Sequence, residues 1–182
     1  SYAELSAAEA DVLIVNDVNE VLNKLEVRFP ENYEMPGDDK LEEVINKTLK
    51  WTSGINSENI DVAVENNLVV LEGSVDSLWK KTEAEKIAGT LHGVSGVTNK
   101  IAVVPTNNLE DEIIAEDIEN ALARSFYIDS NNLDIIVENG QVTISGIVSS
   151  RRAFIEAESI ASYTKGVKNV DNDIVINPQL NV

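Results

Sequence analysis

The sequence predicts an α+β fold made of tandem copies of one helix–strand–strand–helix–strand unit. The first observation is an internal repeat. A shift of 73 positions aligns residues 38–105 with residues 111–178 without a gap, and 26 of the 68 aligned positions are identical. The second observation is that apolar residues in each copy recur at helical spacing, alternate as in strands, and then repeat both patterns. We predict two helices packed on one face of a three-stranded mixed sheet.

The repeat divides the chain into two complete copies, residues 38–105 and 111–178, and one truncated copy, residues 1–30. The truncated copy matches the back half of the unit at an offset of 76, for example where Asn23 falls on Asn99. It should therefore contain only a second helix and a last strand. We expect the full-length protein to carry at least three copies. Neighbouring copies are expected to pack on each other, because so small a unit is marginally stable alone.

The front half of each copy is predicted to be an amphipathic helix followed by a β-hairpin. Leu41, Ile45 and Leu49 recur at a spacing of four in the first copy, which places them on one face of a helix. Residues 60–65 alternate between apolar core positions and outward positions, as a half-buried strand does. Asn66-Asn67 supplies residues that tolerate positive φ, as a tight two-residue turn requires. The second copy repeats the pattern.

The back half of the first copy is predicted to be a helix over residues 77–91 and a strand over residues 97–103. A glycine interrupts the apolar face of the return strand in both copies. It should mark a close backbone approach, with a packed helix as the simplest neighbour. Another glycine follows the second helix in both copies and is predicted to be its C-terminal cap. These four structural glycines are Gly73 and Gly146 in the return strands, and Gly93 and Gly166 after the helices.

Composition and motifs argue against several classes of function. The formal net charge of −18 disfavours nucleic acid binding, because phosphate recognition needs many Lys and Arg contacts. The chain has no cysteine, so thiolate metal sites and cysteine nucleophiles are excluded. No catalytic sequence motif occurs, and the single histidine, His92, is predicted at a helix C-terminus, where a cation is favoured anyway. We therefore expect no catalytic residue, no metal, no cofactor and no small-molecule substrate.

Three spaced signals stand out in the sequence. They are Asn66-Asn67-x-Val69-x-Leu71-x-Gly73-x-Val75 (Glu138-Asn139-Gly140-Gln141-Val142-Thr143-Ile144-Ser145-Gly146 in the second copy), Ala84-x-x-Ile87-Ala88, and Gly93-Val94-x-x-Val97-x-Asn99-x-Ile101-x-Val103. Together they resemble the BON domain, a family named for bacterial osmotically inducible and nodulation proteins. The second copy carries the closer hairpin match, and the resemblance covers nearly the whole chain. It implies a non-catalytic protein, mostly of the bacterial envelope or periplasm, that contacts phospholipid or partner proteins and in some members accompanies osmotic stress.

Basic and aromatic side chains should converge at one end of each copy. In the predicted topology the first helix ends where the hairpin begins. The hairpin returns the chain to that same end, where the second helix starts. We call these ends the first tip, comprising Lys50, Trp51, Trp79, Lys80 and Lys81, and the second tip, comprising Arg124, Phe126, Tyr127, Arg151 and Arg152.

Two interpretations of the tips follow. In one, Trp51 and Phe126 cap the core and the basic residues keep that end soluble. In the other, the tips dock on lipid headgroups or on an acidic partner. Aromatic rings favour the membrane interface, and each basic residue near an anionic surface contributes about 1 kcal/mol. Cations at the start of the second helix oppose the helix dipole, so Arg152, Lys80 and Lys81 favour the second interpretation.

The leading hypothesis is a non-catalytic envelope module that recognises anionic phospholipid or an envelope protein through its tips. The alternative is a soluble osmotic-stress or scaffold protein that assembles through its sheet faces or edges without lipid contact. We expect localisation in the periplasm or cell envelope, and otherwise in the cytoplasm.

Overall fold

A computed structural model of the chain describes residues 2–13, 15, 18, 21–30, 32, 34–106 and 109–179. The chain divides into two units. Unit 1 comprises residues 1–11 and 22–104, and unit 2 comprises residues 12–21 and 105–182. No helix in these ranges is both long and apolar enough to cross a membrane. The elements are α1 (Tyr2–Leu13), α2 (Asp38–Trp51), β1 (Ile60–Glu65), β2 (Leu68–Val75), α3 (Leu78–Thr90), β3 (Gly96–Asn99), β4 (Ala102–Val103), α4 (Asp111–Ala123), β5 (Leu133–Glu138), β6 (Gln141–Val148), α5 (Arg151–Tyr163) and β7 (Asn169–Ile176).

Unit 1 is a mixed sheet covered by two helices. β1 pairs antiparallel with β2, and β2 pairs in parallel with β3 and β4. Ile45 and Leu49 of α2 belong to the same buried cluster as Leu71 of β2. α3 contributes the small residues Ala84 and Ala88, both fully buried, which let its backbone approach the sheet closely. The α+β fold with a mixed sheet is therefore confirmed.

Unit 2 repeats this architecture. β5 pairs antiparallel with β6, and β6 pairs in parallel with β7 over the whole run from Asn169 to Ile176. In unit 1 the corresponding last strand is interrupted between β3 and β4, at Lys100 and Ile101. The order helix–strand–strand–helix–strand is the same in both units.

Each hairpin has the two-residue turn that the sequence predicts. Asn66 and Asn67 have φ values of 52° and 65°, and Asn139 and Gly140 have values of 54° and 77°. Two successive residues with positive φ match the twist of the flanking strands, which makes this turn the preferred connection of a tight hairpin.

The first residue of the first helix is bonded to that turn in both units. The carboxylate of Asp38 accepts hydrogen bonds from the backbone N–H groups of Asn66 and Asn67, at 2.8 and 3.0 Å. Asp111 does the same in unit 2, at 2.6 and 2.9 Å. A charged group that favours the helix N-terminus thus also fixes the hairpin against the helix.

The second helix ends before the glycine that was predicted to cap it. α3 ends at Thr90, and its C-cap residue Leu91 is extended, with ψ of 136°. Gly93, with φ of 102°, lies in the next turn, which the bond from Val94 N to Leu91 O closes. Gly166 lies in the same position after α5. The prediction of a glycine C-cap is therefore wrong: the left-handed residue is required by the turn that follows the helix.

Gly73 and Gly146 allow a close approach, but not to an α-helix. Their φ values are 116° and 125°. A Cβ at Gly73 would overlap the carbonyl oxygen of Asn59, and one at Gly146 would overlap that of Asn132. Both carbonyls belong to the short 3-10 turn that leads into the first strand. The expected helix neighbour is thus replaced by the backbone that enters the hairpin.

The N-terminal segment forms the helix of the predicted truncated copy but not its strand. α1 is present, and its Tyr2 packs on α3, where a Cβ at Gly89 would lie 2.8 Å from the tyrosine ring. Residues 21–30 have no regular secondary structure. In the complete units the last strand pairs with the return strand of the hairpin, and no described strand pairs with residues 21–30.

Candidate functional site

Trp79 joins the two segments of the first tip. It is the second residue of α3, and its indole lies against the loop that follows α2. A Cβ at Gly54 in this loop would be 3.0 Å from Cη2 of Trp79. The start of α3 therefore lies beside the loop that follows Trp51, the last residue of α2.

The ammonium group of Lys80 forms an ion pair with a neighbouring carboxylate. Its Nζ lies 2.8 Å from the carboxylate of Asp76 and 5.7 Å from the ring centroid of Trp79, and its side chain is only 17% exposed. Lys80 therefore has a structural reason to stand at the start of a helix, which weakens the argument that its charge must serve binding. Lys81 is half-buried, and its carbonyl accepts a bond from the side chain of Asn99.

The second tip is joined by stacking of Arg152 on Tyr127. The guanidinium carbon of Arg152 lies 3.7 Å from the ring centroid of Tyr127, in the loop after α4. Tyr127 also meets Phe126 edge to face, with centroids 5.6 Å apart. A hydrogen bond of 2.5 Å from the hydroxyl of Ser125 to Glu156 of α5 adds a second link. Arg124 is exposed at the end of α4.

The two tips use equivalent positions with exchanged chemistry. Trp79 corresponds to Arg152 and Gly54 to Tyr127 at the repeat offset of 73. In unit 1 an aromatic ring from the second helix covers a glycine. In unit 2 a planar guanidinium from the same helix position covers an aromatic ring. Each unit thus brings one flat side chain of the second helix onto the loop after the first helix.

The most exposed aromatic rings of the tips do not belong to the core. Trp51 is 76% exposed and Phe126 is 88% exposed. The interpretation in which these two residues cap the core is therefore wrong, because the rings lie in solvent rather than against buried side chains.

Two cation–ring contacts were not predicted from the sequence. The Nζ of Lys47 lies 4.8 Å from the ring centroid of Trp51, and the guanidinium carbon of Arg151 lies 4.2 Å from that of Phe154. Spacings of four and three residues on a helix place such pairs side by side, so this signal could have identified them. Lys47 therefore extends the first tip by one helical turn.

Other candidate chemistry finds little support. His92 is exposed in the turn after α3. Among the described residues, no cluster of three or more His, Cys, Asp and Glu side chains could hold a metal ion. A polar cavity of about 310 Å³ lies at the hairpin-turn end of unit 2. Two of its polar side chains already bond the turn, Asp111 to backbone N–H groups and Lys168 to the carbonyl of Asn139 at 2.9 Å.

The ion pair between Lys80 and Asp76 makes the free energy of unfolding depend on pH in the acid range. The hydrogen bond from Lys80 holds the pKa of Asp76 below its ordinary value, against the opposing effect of burial. A lowered folded-state pKa means that the pair stabilises the fold above the unfolded value of about 3.9, and that this contribution is lost as pH falls through the lower folded value. We expect Asp76→Asn to cost less than about 1 kcal/mol at pH 7.

Urea unfolding followed by tryptophan fluorescence measures this difference at each pH. The gap between Asp76→Asn and the unmodified protein should shrink on acidification, because both then lack the carboxylate charge. A gap that stays constant from pH 7 into the acid range would contradict the ion-pair explanation.

Comparison with models of protein families identifies the family of this chain. A family model described as BON domain matches residues 37–105 and 110–178, which together are more than half of the chain. The chain belongs to the BON domain family. The resemblance found in the sequence is confirmed.

Two similar proteins extend this family relationship. Osmotically-inducible protein Y of Escherichia coli (strain K12) is 30% identical over 135 residues, which cover 66% of this chain and 63% of that protein. The chain thus spans less than two thirds of the length of this relative. A protein of Anaplasma centrale described as an uncharacterized protein in the gshII 5′ region is 34% identical over 131 residues, 69% of this chain and 85% of that protein.

Solved structures show more distant likeness. CdsD, a structural protein of the type III secretion system of Chlamydia trachomatis, is 15% identical with a TM-score of 0.33, over 77% of this chain and 63% of that chain. A structure of the C-terminal domain of CdsD gives the same identity and TM-score, over 81% and 70%. A likeness at this level supports no inference about function.

Proposed function

We propose that this BON protein is a non-catalytic binding module whose two tips dock on surfaces that carry anionic phospholipid. One observation carries the proposal: an exposed aromatic ring lies at the same end of each unit, next to cation–ring contacts. Trp51 has Lys47 beside its ring. Phe126 adjoins Tyr127, on which Arg152 stacks.

The physical chemistry of these groups fits a membrane interface. Tryptophan and other aromatic rings favour the headgroup region, where one side is apolar and the other wet. Each exposed basic residue near an anionic surface adds about 1 kcal/mol. The net charge of −18 opposes approach only at short range, because fields are screened over about 8 Å at physiological ionic strength.

The same tips support a second form of the proposal, in which the anionic surface belongs to an envelope protein. The relative named osmotically-inducible protein Y supports a role in osmotic stress. On this proposal the protein works in the periplasm or cell envelope, where both kinds of surface are available.

Vesicle flotation tests the lipid form. The vesicles are phosphatidylcholine alone or phosphatidylcholine with phosphatidylglycerol, and the first variant is Lys50→Glu/Arg124→Glu. We expect the unmodified protein to float with the anionic vesicles. The partition coefficient of this variant between vesicles and water should be lower by roughly tenfold or more. Its matched control is Lys40→Glu/Lys86→Glu, which makes the same charge change at two exposed lysines in weakly stabilising surface pairs.

A second pair of variants separates the rings from the charges. Trp51→Ala/Phe126→Ala should reduce binding by a similar amount, whereas Tyr163→Ala removes an exposed ring at the far end of α5 and should leave it unchanged. Equal flotation of tip and control variants would reject lipid docking at the tips. Loss of vesicle binding with retained capture of an envelope protein would favour the protein form.

The alternative, a scaffold of the stress response, has one observation in its favour. Ile147 and Val175 are neighbours across β6 and β7 and are 41% and 60% exposed on the outer face of the unit 2 sheet. Burying such a pair would favour assembly. Light scattering should then show oligomers that Ile147→Asp dissociates and that the tip variants leave intact.

A further inference from the structure

Asn99 connects the last strand of unit 1 to its second helix. Its Nδ2 donates to the carbonyl of Lys81 at 2.9 Å and to the carboxylate of Glu85 at 3.1 Å. Its Oδ1 accepts from the backbone N–H of Ile101 at 3.2 Å. Three bonds from one side chain thus fix the strand at one position along the helix.

Asn23 forms the same three bonds in the N-terminal segment. Its Nδ2 donates to the carbonyl of Leu5 at 3.2 Å and to the carboxylate of Glu9 at 3.3 Å, and its Oδ1 accepts from the N–H of Leu25 at 3.0 Å. The separations along the chain are 18, 14 and 2 residues, as they are for Asn99. Asn23 therefore joins α1 to the segment that follows it through the same bonds by which Asn99 joins helix and strand in the complete unit.

What differs is the cover over this contact. Leu25 corresponds to Ile101 at the offset of 76. Ile101 is 1% exposed, inside the cluster formed with residues of α2 and the hairpin, whereas Leu25 is 59% exposed. Leu22 corresponds to Thr98, which is exposed in the complete unit too. The position that differs is thus the one that α2 and the hairpin cover in unit 1.

We propose that α1 and residues 22–30 form a docking surface for the helix–hairpin half of a BON unit. The occupant covers Leu25 with an amphipathic helix and pairs the return strand of its hairpin in parallel with residues 21–27. Residues 21–27 pair with no described strand, and a backbone segment outside any ladder is a ready template for such a strand. A second copy of this chain is a poor occupant, because both of its own helix–hairpin halves already cover their own second helices.

The test uses the full chain extended by a duplicate of residues 38–76, placed before Ser1 through a flexible Gly/Ser linker that keeps the added half at high effective concentration. Amide hydrogen exchange of residues 21–27 is compared with that of the unextended chain. We expect the amides of this stretch that face the added strand to exchange at least tenfold more slowly, because they enter a parallel ladder. The Leu25 amide is left out of the comparison, since it already donates to Asn23. Unchanged exchange would overturn the proposal.

Two substitutions in the extended chain make the test specific. Leu25→Asp should abolish the added protection, because the charge would be buried under the helix–hairpin half. Leu22→Asp should leave the protection in place, since that position faces solvent. Equal loss with both variants would show that the protection is nonspecific and would overturn the proposal. Light scattering that finds the unextended chain dimeric, and Leu25→Asp monomeric, would assign the surface to a second copy and overturn the proposed occupant.

Discussion

Replacing Gly73 with alanine should lower the free energy of unfolding of unit 1 by about 3 kcal/mol or more. The φ of 116° is one that side-chain-bearing residues rarely adopt. The new Cβ would also overlap the carbonyl oxygen of Asn59, which is backbone and cannot move without displacing the turn and the first pair of the ladder, Ile60 with Gly73.

The measurement is urea unfolding followed by tryptophan fluorescence. Both tryptophans of the chain, Trp51 and Trp79, lie in unit 1, so the signal reports on the unit that carries the substitution. Gly37→Ala is the control, because a Cβ there meets nothing within 4 Å and the backbone has φ of −64°. Its cost should stay below about 1 kcal/mol. Similar losses at Gly73 and Gly37 would contradict the overlap argument.

The fold could be predicted because burial imposes its own period on the sequence. Leu41, Ile45 and Leu49 recur at helical spacing because the sheet covers one side of α2, and all three are buried. Asn66-Asn67 predicted its turn because few residues tolerate two positive φ values in succession. The neighbour of Gly73 could not be predicted, because a glycine signals a close approach without indicating which segment approaches.

The positions of the two tips could be predicted from the sequence, but the contacts within them could not. Topology alone brings the end of α2 and the start of α3 together, and the same holds in unit 2. Sequence spacing does not reveal that Lys80 forms an ion pair with Asp76, because a lysine side chain can pair with any of several carboxylates within its reach. Nor does it reveal that Trp51 stays in solvent while Trp79 covers Gly54, since both are aromatic residues at helix ends.

Replacing Asp38 should have the second large effect on stability, because its carboxylate makes hydrogen bonds that its position in the sequence does not indicate. An acidic residue in the first turn of a helix indicates a favourable dipole interaction, worth about 0.3–1 kcal/mol. The structure adds two charge-assisted hydrogen bonds, to the N–H groups of Asn66 and Asn67. We expect Asp38→Ala to lower the free energy of unfolding by about 2 kcal/mol, because both donors lose their acceptor and water replaces it only in part.

Asp39 is the matched control for this prediction. It is the same residue type in the same helical turn, and it is exposed, so Asp39→Ala should lose only the dipole contribution. Tryptophan-monitored urea unfolding compares the two variants. Hydrogen exchange should show faster exchange of the Asn66 and Asn67 amides in Asp38→Ala alone. Equal destabilisation by the two substitutions would mean that the helix dipole, rather than the bond to the hairpin turn, accounts for the aspartate.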